Sequence, residues 1–319
     1  MIDIWPAEEE LSRIQAVDQQ GGGSAHNVGI DIRLLDPDMP VAAMGMLGDD
    51  EDGRFLQQQA DKHGLNTAQL HATRDSATSY TDVLTVASSG KRTFFHYPGA
   101  NDLLTPAHFD FSGHRSRILH LGLLGVHEKL DAKTEDGENG WTKILKSAKD
   151  HGLQTSIEMV SIDDERNRAI ALPCLKWLDY LIVNDHEIGS IADVKTLDGS
   201  TTLVDQCLIA AKRVLAIGSM KLVTVHYPSG ALCVTRDGEQ ILSQSLPMPQ
   251  SQVVSSVGAG DAFVAGFLYG LHEDLGLSES LELAHTVAVA SLRAVTTTGS
   301  VESVAKCREF AQTLRAESV

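Results

Sequence analysis

Apolar strands and amphipathic helices alternate along this 319-residue chain after about residue 118, and this alternation limits the fold more than any other feature. The run at 179–183 is apolar almost throughout, as in a strand that is buried on both faces of a sheet. The order predicts an α/β fold with a mainly parallel sheet and helices on both faces. The predicted strands are 118–122, 153–159, 179–183 and 221–225, and the predicted helices are 141–150, 201–217, 259–271, 279–294 and 302–315.

The earlier part of the chain carries a hairpin signal. Residues 81–87 and 92–97 are predicted as two strands, and the turn sequence SSGK at 88–91 joins them. The sequence shows no internal repeat, low-complexity tract or interdomain linker. We therefore predict a single domain over residues 1–319, in which the hairpin forms a small β appendage on the α/β body.

The composition argues against several kinds of partner. The net charge is -17 and the pI is near 5.1, so bulk attraction to nucleic acid or to an acidic membrane is not expected. No stretch approaches the roughly 20 apolar residues of a membrane span, and the N-terminal residues lack the pattern of a signal peptide. Four widely spaced cysteines without a CxxC pair are typical of free thiols in a reducing compartment. We expect a cytoplasmic protein that binds neither nucleic acid nor membrane.

The segment Gly258-Ala259-Gly260-Asp261 precedes an apolar helical stripe and is the most informative stretch for chemistry. At a helix N-terminus the first backbone N–H groups are unpaired and the helix dipole is positive, and small residues let an anion approach them. Asp261 in the first turn is expected to stay ionised at neutral pH. An anion cradle beside a carboxylate suits phosphoryl transfer. Taken alone, the same four residues are equally compatible with an ordinary glycine turn beside a helix.

A second glycine-rich stretch lies near the N-terminus, at 21–27. Its three glycines permit close backbone approach, and Asn27 offers a donor and acceptors that suit sugar hydroxyl groups. His26 stands where a dinucleotide-binding fingerprint needs glycine, which disfavours a dinucleotide-dependent oxidoreductase. A plain glycine-rich turn is the alternative.

The sequence Asn184-Asp185-His186-Glu187 follows the predicted buried strand at 179–183. Ligands of open α/β sheets bind outside the carboxyl ends of the strands. Asn184 and Glu187 are therefore placed to hold a hydrated Mg²⁺ ion or to orient a phosphate group. The alternative is that Asn184 or Asp185 only caps the next helix.

The order of these stretches resembles that in the ribokinase/PfkB family of carbohydrate kinases. Residues 22–28 and 47–53 are similar to the first family signature, and residues 257–263 are similar to the second. The resemblance covers almost the whole chain. It implies a ribokinase-like fold, with a Rossmann-like, mainly parallel sheet flanked by helices and a β-sheet lid formed by segments around 5–20 and 79–98. The implied activity is transfer of the ATP γ-phosphoryl group to a hydroxyl group of a sugar or sugar derivative.

The resemblance also implies residue roles. Asp261 would be the base, and the backbone of Gly258, Ala259 and Gly260 would form the anion hole. The residues implied to bind the sugar are Asp3, Gly22, Gly23, Asn27, Arg92 and Asn101. The residues implied to bind the nucleotide are Asn184, Glu187, Thr224, His226, Gly230, Ala259, Gly260, His285 and Ala288, with Glu187 contacting Mg²⁺ through water.

Several positions depart from the family pattern. Ser255 and Ser256 precede the GAGD segment, where relatives commonly carry Asp-Thr-Thr. The missing Asp is associated with a monovalent-cation site, so ATP and Mg²⁺ are the expected cofactors and potassium is not. Ser24 replaces a lysine of ribokinases proper, and the stretch 156–159 lacks the Asp-x-Asn-x-Arg pattern of many sugar-acid kinases. These changes argue against simply assigning ribose as the substrate.

Two other functions stay open. A nucleoside kinase, such as an adenosine or inosine kinase, would need a pocket lined by aromatic rings, and the aromatic content of only 5% favours a sugar instead. The other is a sugar- or nucleotide-binding protein that has lost turnover. Because family lids often pair between subunits, a homodimer through the 81–97 hairpin is a further hypothesis.

Overall fold

The computed structural model describes residues 1–317, which form a three-layer α/β body with a two-stranded lid. The strands are β1 (Ala42–Gly48), β2 (Asn66–Thr73), β3 (Tyr80–Thr85), β4 (Arg92–Tyr97), β5 (Ile118–Leu124), β6 (Gln154–Met159), β7 (Tyr180–Asn184), β8 (Leu197–Asp198), β9 (Thr201–Thr202), β10 (Leu222–Tyr227), β11 (Gly230–Thr235) and β12 (Gln240–Gln244). The helices are α1 (Ser24–Leu35), α2 (Glu51–Lys62), α3 (Glu128–Asp131), α4 (Gly140–Asp150), α5 (Asp164–Ala171), α6 (Asp185–Ala192), α7 (Val204–Ile217), α8 (Ala259–His272), α9 (Leu277–Ser291) and α10 (Val304–Glu317).

The central sheet has six strands in the order β12-β11-β10-β7-β6-β5. The four strands from β10 to β5 are parallel, and β11 and β12 add an antiparallel edge. The predicted α/β fold with a mainly parallel sheet is confirmed. The predicted helix at 201–217 begins later, at Val204, because residues 201–202 pair in a short hairpin with 197–198.

Side chains of the central sheet alternate between two packed layers of helices. On β7, Leu181 and Val183 pack with α4, α5, α6 and α7, whereas Ile182 faces α8 and α9. All three side chains are fully buried, as the apolar sequence of this strand predicts. The sheet is thus covered on both faces, and its carboxyl edge is left to carry polar residues. Among residues 1–317, no helix is long and apolar enough to cross a membrane.

A second parallel pair, β1 and β2, was not predicted and stands apart from the central sheet. The helix α1 packs against both β1 and β5, which bridges the two sheets on one face. A cavity of about 1950 Å³ is lined by residues of both strands and extends to Gly22, Asn27 and Asp261. The space for a ligand therefore lies at the ends of the two sheets, beneath the lid.

The lid is the antiparallel hairpin of β3 and β4, as predicted, with Thr85 opposite Arg92 and Tyr80 opposite Tyr97. The segment around 5–20, expected to add to the lid, forms no strand. Near it, Ile2 makes isolated bridges to Ile14 and to Val86, and the ring of Trp5 stacks on Phe95 with 6.2 Å between centroids. Few backbone hydrogen bonds hold residues 5–20, and they form no strand. In the described part of the chain, the regular structure of the lid is therefore the β3–β4 hairpin alone.

Candidate active site

The helix α8 begins at the GAGD segment and points its N-terminus into the cavity region. Gly258 is the N-cap with φ of 83°, a left-handed conformation that favours glycine. A Cβ atom on Gly258 would lie 2.7 Å from the carbonyl oxygen of Thr297, so the site also excludes a side chain by contact. The N–H groups at the start of α8 form a cradle that an anion fits, and that of Ala259 donates only a long hydrogen bond, 3.4 Å, to the carbonyl oxygen of Ser256.

Asp261 lies in the first turn of α8 and is held by a residue from the second glycine site. Asn27 Nδ2 donates to Asp261 Oδ2 at 2.6 Å, and Thr297 Oγ1 donates to Asn27 Oδ1 at 3.1 Å. Asn27 follows Gly23, the N-cap of α1, which has φ of 85°. The fold thus brings together the two glycine-rich stretches that are remote in sequence, and it fixes the orientation of one carboxylate between two helix starts.

The surroundings of Asp261 oppose the expectation that this carboxyl group stays ionised at neutral pH. Burial raises the pKa of Asp261 well above its usual value, and the nearby Glu158 carboxyl raises it further. The hydrogen bond from Asn27 opposes this shift but does not reverse it. Burial thus acts against the stabilisation that the N-terminus of α8 was expected to give the carboxylate.

A polar cluster of Ser24, His120 and Glu158 lies beside Asp261 and was missed at the sequence level. Ser24 Oγ donates to Glu158 Oε2 at 2.5 Å, and His120 Nε2 lies 3.2 Å from each of those two oxygens. His120 Nδ1 lies 3.2 Å from Ser156 Oγ. Polar side chains inside the predicted strands at 118–122 and 153–159 were the available signal. Burial lowers the pKa of His120 to about 4, so its ring is neutral.

The implied sugar-binding residues divide into two groups. Gly22, Gly23, Asn27, Arg92 and Asn101 line the cavity, as does Asp261 itself. Arg92 Nη2 donates to Ser255 Oγ at 3.2 Å, so the lid touches the loop that leads into α8.

The carboxylate of Asp3 is engaged elsewhere. Its Oδ1 accepts hydrogen bonds from Ser12 Oγ at 2.6 Å and from the backbone N–H groups of Ile4 and Arg13 at 2.8 and 3.1 Å. These bonds lower the pKa of Asp3. Asp3 is not among the described residues that line the cavity, so here it holds the N-terminal segment.

Asn184 and Glu187 form a capping box at the start of α6. Asn184 Oδ1 accepts from the Glu187 N–H group at 2.8 Å, and Glu187 Oε2 accepts from the Asn184 N–H group at 3.0 Å. The helix-capping alternative raised from the sequence is thus observed. Glu187 is buried, and burial raises the pKa of its carboxyl group to about 8. A buried carboxyl group with few positive neighbours fits a cation, whose charge would restore the ionised form.

The remaining nucleotide-side candidates surround Phe263. The rings of His226 and His285 lie 5.0 and 5.3 Å from the Phe263 ring, and a Cβ on Gly260 would lie 3.5 Å from His226. His285 Nε2 is buried without a hydrogen-bond partner.

Three further candidates on the nucleotide side differ in their access to solvent. Thr224 is fully buried, and its Oγ1 also has no partner. Gly230 pairs with Tyr227 across β10 and β11, and Ala288 is half-buried on α9. The unpartnered Nε2 of His285 fits a site completed by a ligand, whereas Thr224 is fully buried below the surface.

Comparison with known proteins agrees with the family resemblance found in the sequence. The model of the pfkB family carbohydrate kinases matches residues 1–304. The bifunctional ribokinase/ribose-5-phosphate isomerase A of Fructilactobacillus sanfranciscensis is 25% identical, with 80% of this chain and 43% of that protein aligned. The chain therefore spans less than half the length of this relative. Fructokinase-2 of Oryza sativa subsp. japonica is 26% identical over 79% of this chain and 71% of that protein.

Solved structures support the same fold. A ribokinase from Thermotoga maritima has a TM-score of 0.78 and 19% identity, covering 98% of this chain and 93% of that chain. At this identity the likeness concerns the fold alone. The family model, in contrast, covers nearly the whole sequence and includes both glycine-rich stretches. The chain belongs to the pfkB family of carbohydrate kinases, as the sequence predicted.

Proposed function

We propose that the protein transfers the γ-phosphoryl group of ATP to a hydroxyl group of a sugar or sugar derivative. The observation that carries this proposal is the pairing of Asp261 with Asn27 at the N-terminus of α8, beside the cavity. Family membership supports the class of reaction. The names of relatives, which include ribokinase and fructokinase, support a sugar as the acceptor.

ATP with Mg²⁺ would supply the phosphoryl group and neutralise part of its charge. The first-turn N–H groups of α8, at Ala259 and Gly260, would hold the anionic phosphate oxygens without a side chain in the way. Glu187 would bind the metal ion through water, which fits a buried carboxyl group with a raised pKa. His226 and His285 would face the nucleotide from β10 and α9.

Asp261 would accept the proton of the acceptor hydroxyl. Asn27 keeps the carboxylate oxygen in a fixed direction, so the acceptor group is aimed as well as deprotonated. The loose transition state of phosphoryl transfer asks mainly for positioning. The lid contact between Arg92 and Ser255 would help to exclude water, which could otherwise receive the phosphoryl group.

The test is coupled ADP release with Mg·ATP across sugars, sugar acids and nucleosides. We expect turnover with a sugar or sugar derivative, and we expect the Asp261→Asn variant to lose it. A full-length protein that binds ATP but never releases ADP above that variant would contradict the proposal and favour the binding-only alternative.

A nucleoside acceptor is the second candidate, and one observation favours it. The lid face that carries Arg92 also places Phe94 and His96 on the cavity, so aromatic rings are available despite the low aromatic content. Turnover with nucleosides but not with sugars would reverse the ranking. The same ADP-release panel separates the two candidates.

The opposite lid face supports the proposal of a homodimer. Tyr80, Phe95 and Tyr97 are exposed there, at 48%, 51% and 42% of their full surface, and Trp5 adds an exposed ring. An exposed aromatic face on an isolated hairpin is a surface that a second copy could cover. Sedimentation of the wild-type protein and of Phe95→Ser tests it, with a smaller mass expected for the variant.

The cysteines support a reducing compartment such as the cytoplasm. Cys174, Cys207, Cys233 and Cys307 are all unpaired and buried. Burial raises the pKa of the Cys174 thiol to about 12 and that of Cys207 to about 11, which keeps both thiols protonated and unreactive.

A further inference from the structure

The Ser24–His120–Glu158 cluster is built on three separate elements that meet beside Asp261. Ser24 is the first residue of α1, His120 lies on β5, and Glu158 lies near the end of β6. The side chains of His120 and Glu158 are only 10% and 13% exposed. Gly122 makes room for this meeting, because a Cβ atom there would lie 2.4 Å from Ser24 Oγ. A buried cluster of this kind needs a reason beyond packing, since buried polar groups are costly.

The contacts of this cluster meet at the carboxyl group of Glu158. The Ser24 hydroxyl donates to Glu158 at 2.5 Å, and the neutral His120 ring, whose Nδ1 contacts Ser156 Oγ, places Nε2 3.2 Å from the same Glu158 oxygen. One donor, the Ser24 hydroxyl, is thus directed at this carboxylate oxygen, and the His120 ring packs against both oxygen atoms of that hydrogen bond. Burial raises the pKa of Glu158, and the hydrogen bond from Ser24 opposes that shift, because a hydrogen bond to the charged form stabilises it.

We infer that Glu158, held by Ser24 and His120, is a positioning residue that controls when Asp261 is free to accept the acceptor's proton. This inference rests on the proposed function of Asp261. Ser24 and Asn27 lie one turn apart at the start of α1, and each binds one of the two carboxyl groups, at 2.5 Å for Glu158 and 2.6 Å for Asp261, so the two groups are neighbours. Neighbouring carboxyl groups do not both ionise readily, so one proton is held between them. Because the Ser24 hydroxyl donates to Glu158 and favours charge there, that proton resides on Asp261 until the pH rises or the charge on Glu158 is removed.

The other titratable groups near this pair do not replace Glu158 in this role. His120 faces Asp261 from β5, and its charge would act in the opposite sense, but burial keeps its ring neutral. Asp31 faces Asp261 from α1, and burial raises its pKa well above the usual value, with a smaller contribution from Asp261. Glu187 on α6 is not among the groups that shift the pKa of Glu158 or of Asp261. Glu158 is the neighbouring acid whose effect on the pKa of Asp261 ranks next to burial.

The experiment is the pH profile of kcat/KM for Mg·ATP-dependent phosphorylation, measured over about pH 5 to 9 for wild type and three variants. In Glu158→Gln the acid limb is expected to move to lower pH by about one unit or more, because a like charge no longer raises the pKa of Asp261. Ser24→Ala should move it in the same direction by less, since Glu158 then takes the shared proton more readily. The matched control Glu165→Gln, at an exposed acid in the first turn of α5, should leave the limb in place.

Two results would overturn the inference. One is an acid limb that stays fixed in a Glu158→Gln protein that folds and binds ATP. The other is an equal loss of activity at every pH, which is what a structural role alone would give. Changes in kcat and KM are read separately, so that weakened acceptor binding is recognised.

A measurement without substrate keeps the inference testable if no acceptor turns over. A carboxyl pair with raised pKa values binds more protons when folded than when unfolded, so thermal stability falls as the pH rises through the folded pKa. The wild-type Tm should therefore fall more steeply with rising pH than the Tm of Glu158→Gln. Parallel curves would overturn the inference. A steeper wild-type curve together with absent turnover would support the pair and contradict the proposed function.

Discussion

The two sides of the candidate site differ in how firmly they are built. The side at the N-terminus of α8 is locked: Gly258 fits against Thr297 without room for a Cβ, and Asp261 is tied to α1 through Asn27. The lid side consists of one hairpin. A hydrogen bond from Arg92 to Ser255 connects this hairpin to the loop before α8. A reaction that depends on positioning needs the first side to be rigid, whereas entry and release of ligands need the second side to open.

The largest effect is expected when the carboxylate on the rigid side is removed. Asp261→Asn should lower kcat by about 10²- to 10⁴-fold, because general-base assistance is lost while the backbone cradle remains. ATP affinity, measured by calorimetry, should change little. Asp205→Asn is the matched control, since Asp205 is an exposed acid in the first turn of α7. A variant that keeps wild-type kcat would refute the assigned role of Asp261.

The rigidity of the same side can be tested at Gly258. Gly258→Ala should destabilise the fold by at least about 1–3 kcal/mol, because both the positive φ and the contact with Thr297 oppose a side chain. Urea unfolding measures the change in the free energy of unfolding. The matched control is Gly238→Ala, where φ is 100° but no atom lies within 4 Å of the added Cβ. Equal losses at both positions would mean that close packing adds nothing at Gly258.

The smallest effect is expected on the lid side. Arg92→Ala should raise KM for the acceptor by about fivefold, the value of a hydrogen bond worth about 1 kcal/mol, with the fold intact. Lys91→Ala, at the neighbouring exposed cation of the turn, should leave KM unchanged. Steady-state kinetics with the acceptor identified in the ADP-release panel measures both. A loss comparable to that of Asp261→Asn would show that the two sides do not differ as described.

The sequence could predict features that depend on neighbouring residues, but not features that depend on contacts between remote segments. The helix start at the GAGD segment and the 92–97 strand depend on neighbouring residues, and both were predicted. The raised pKa of Asp261 depends first on burial and then on Glu158, and both arise only when segments remote in sequence come together. The parallel pair of β1 and β2 was missed, as was the irregular path of residues 5–20. Asp3, which lies just before that segment, accepts hydrogen bonds from Ser12 and Arg13 within it.

The most direct test of the account follows the phosphoryl group itself. The protein is incubated with Mg·ATP labelled at the γ-phosphate and the acceptor found in the ADP-release panel, and the products are separated. The account predicts that the label moves to an acceptor hydroxyl in the wild-type protein and that Asp261→Asn transfers it far more slowly. Label found only in inorganic phosphate, or equal transfer by Asp261→Asn, would contradict the account.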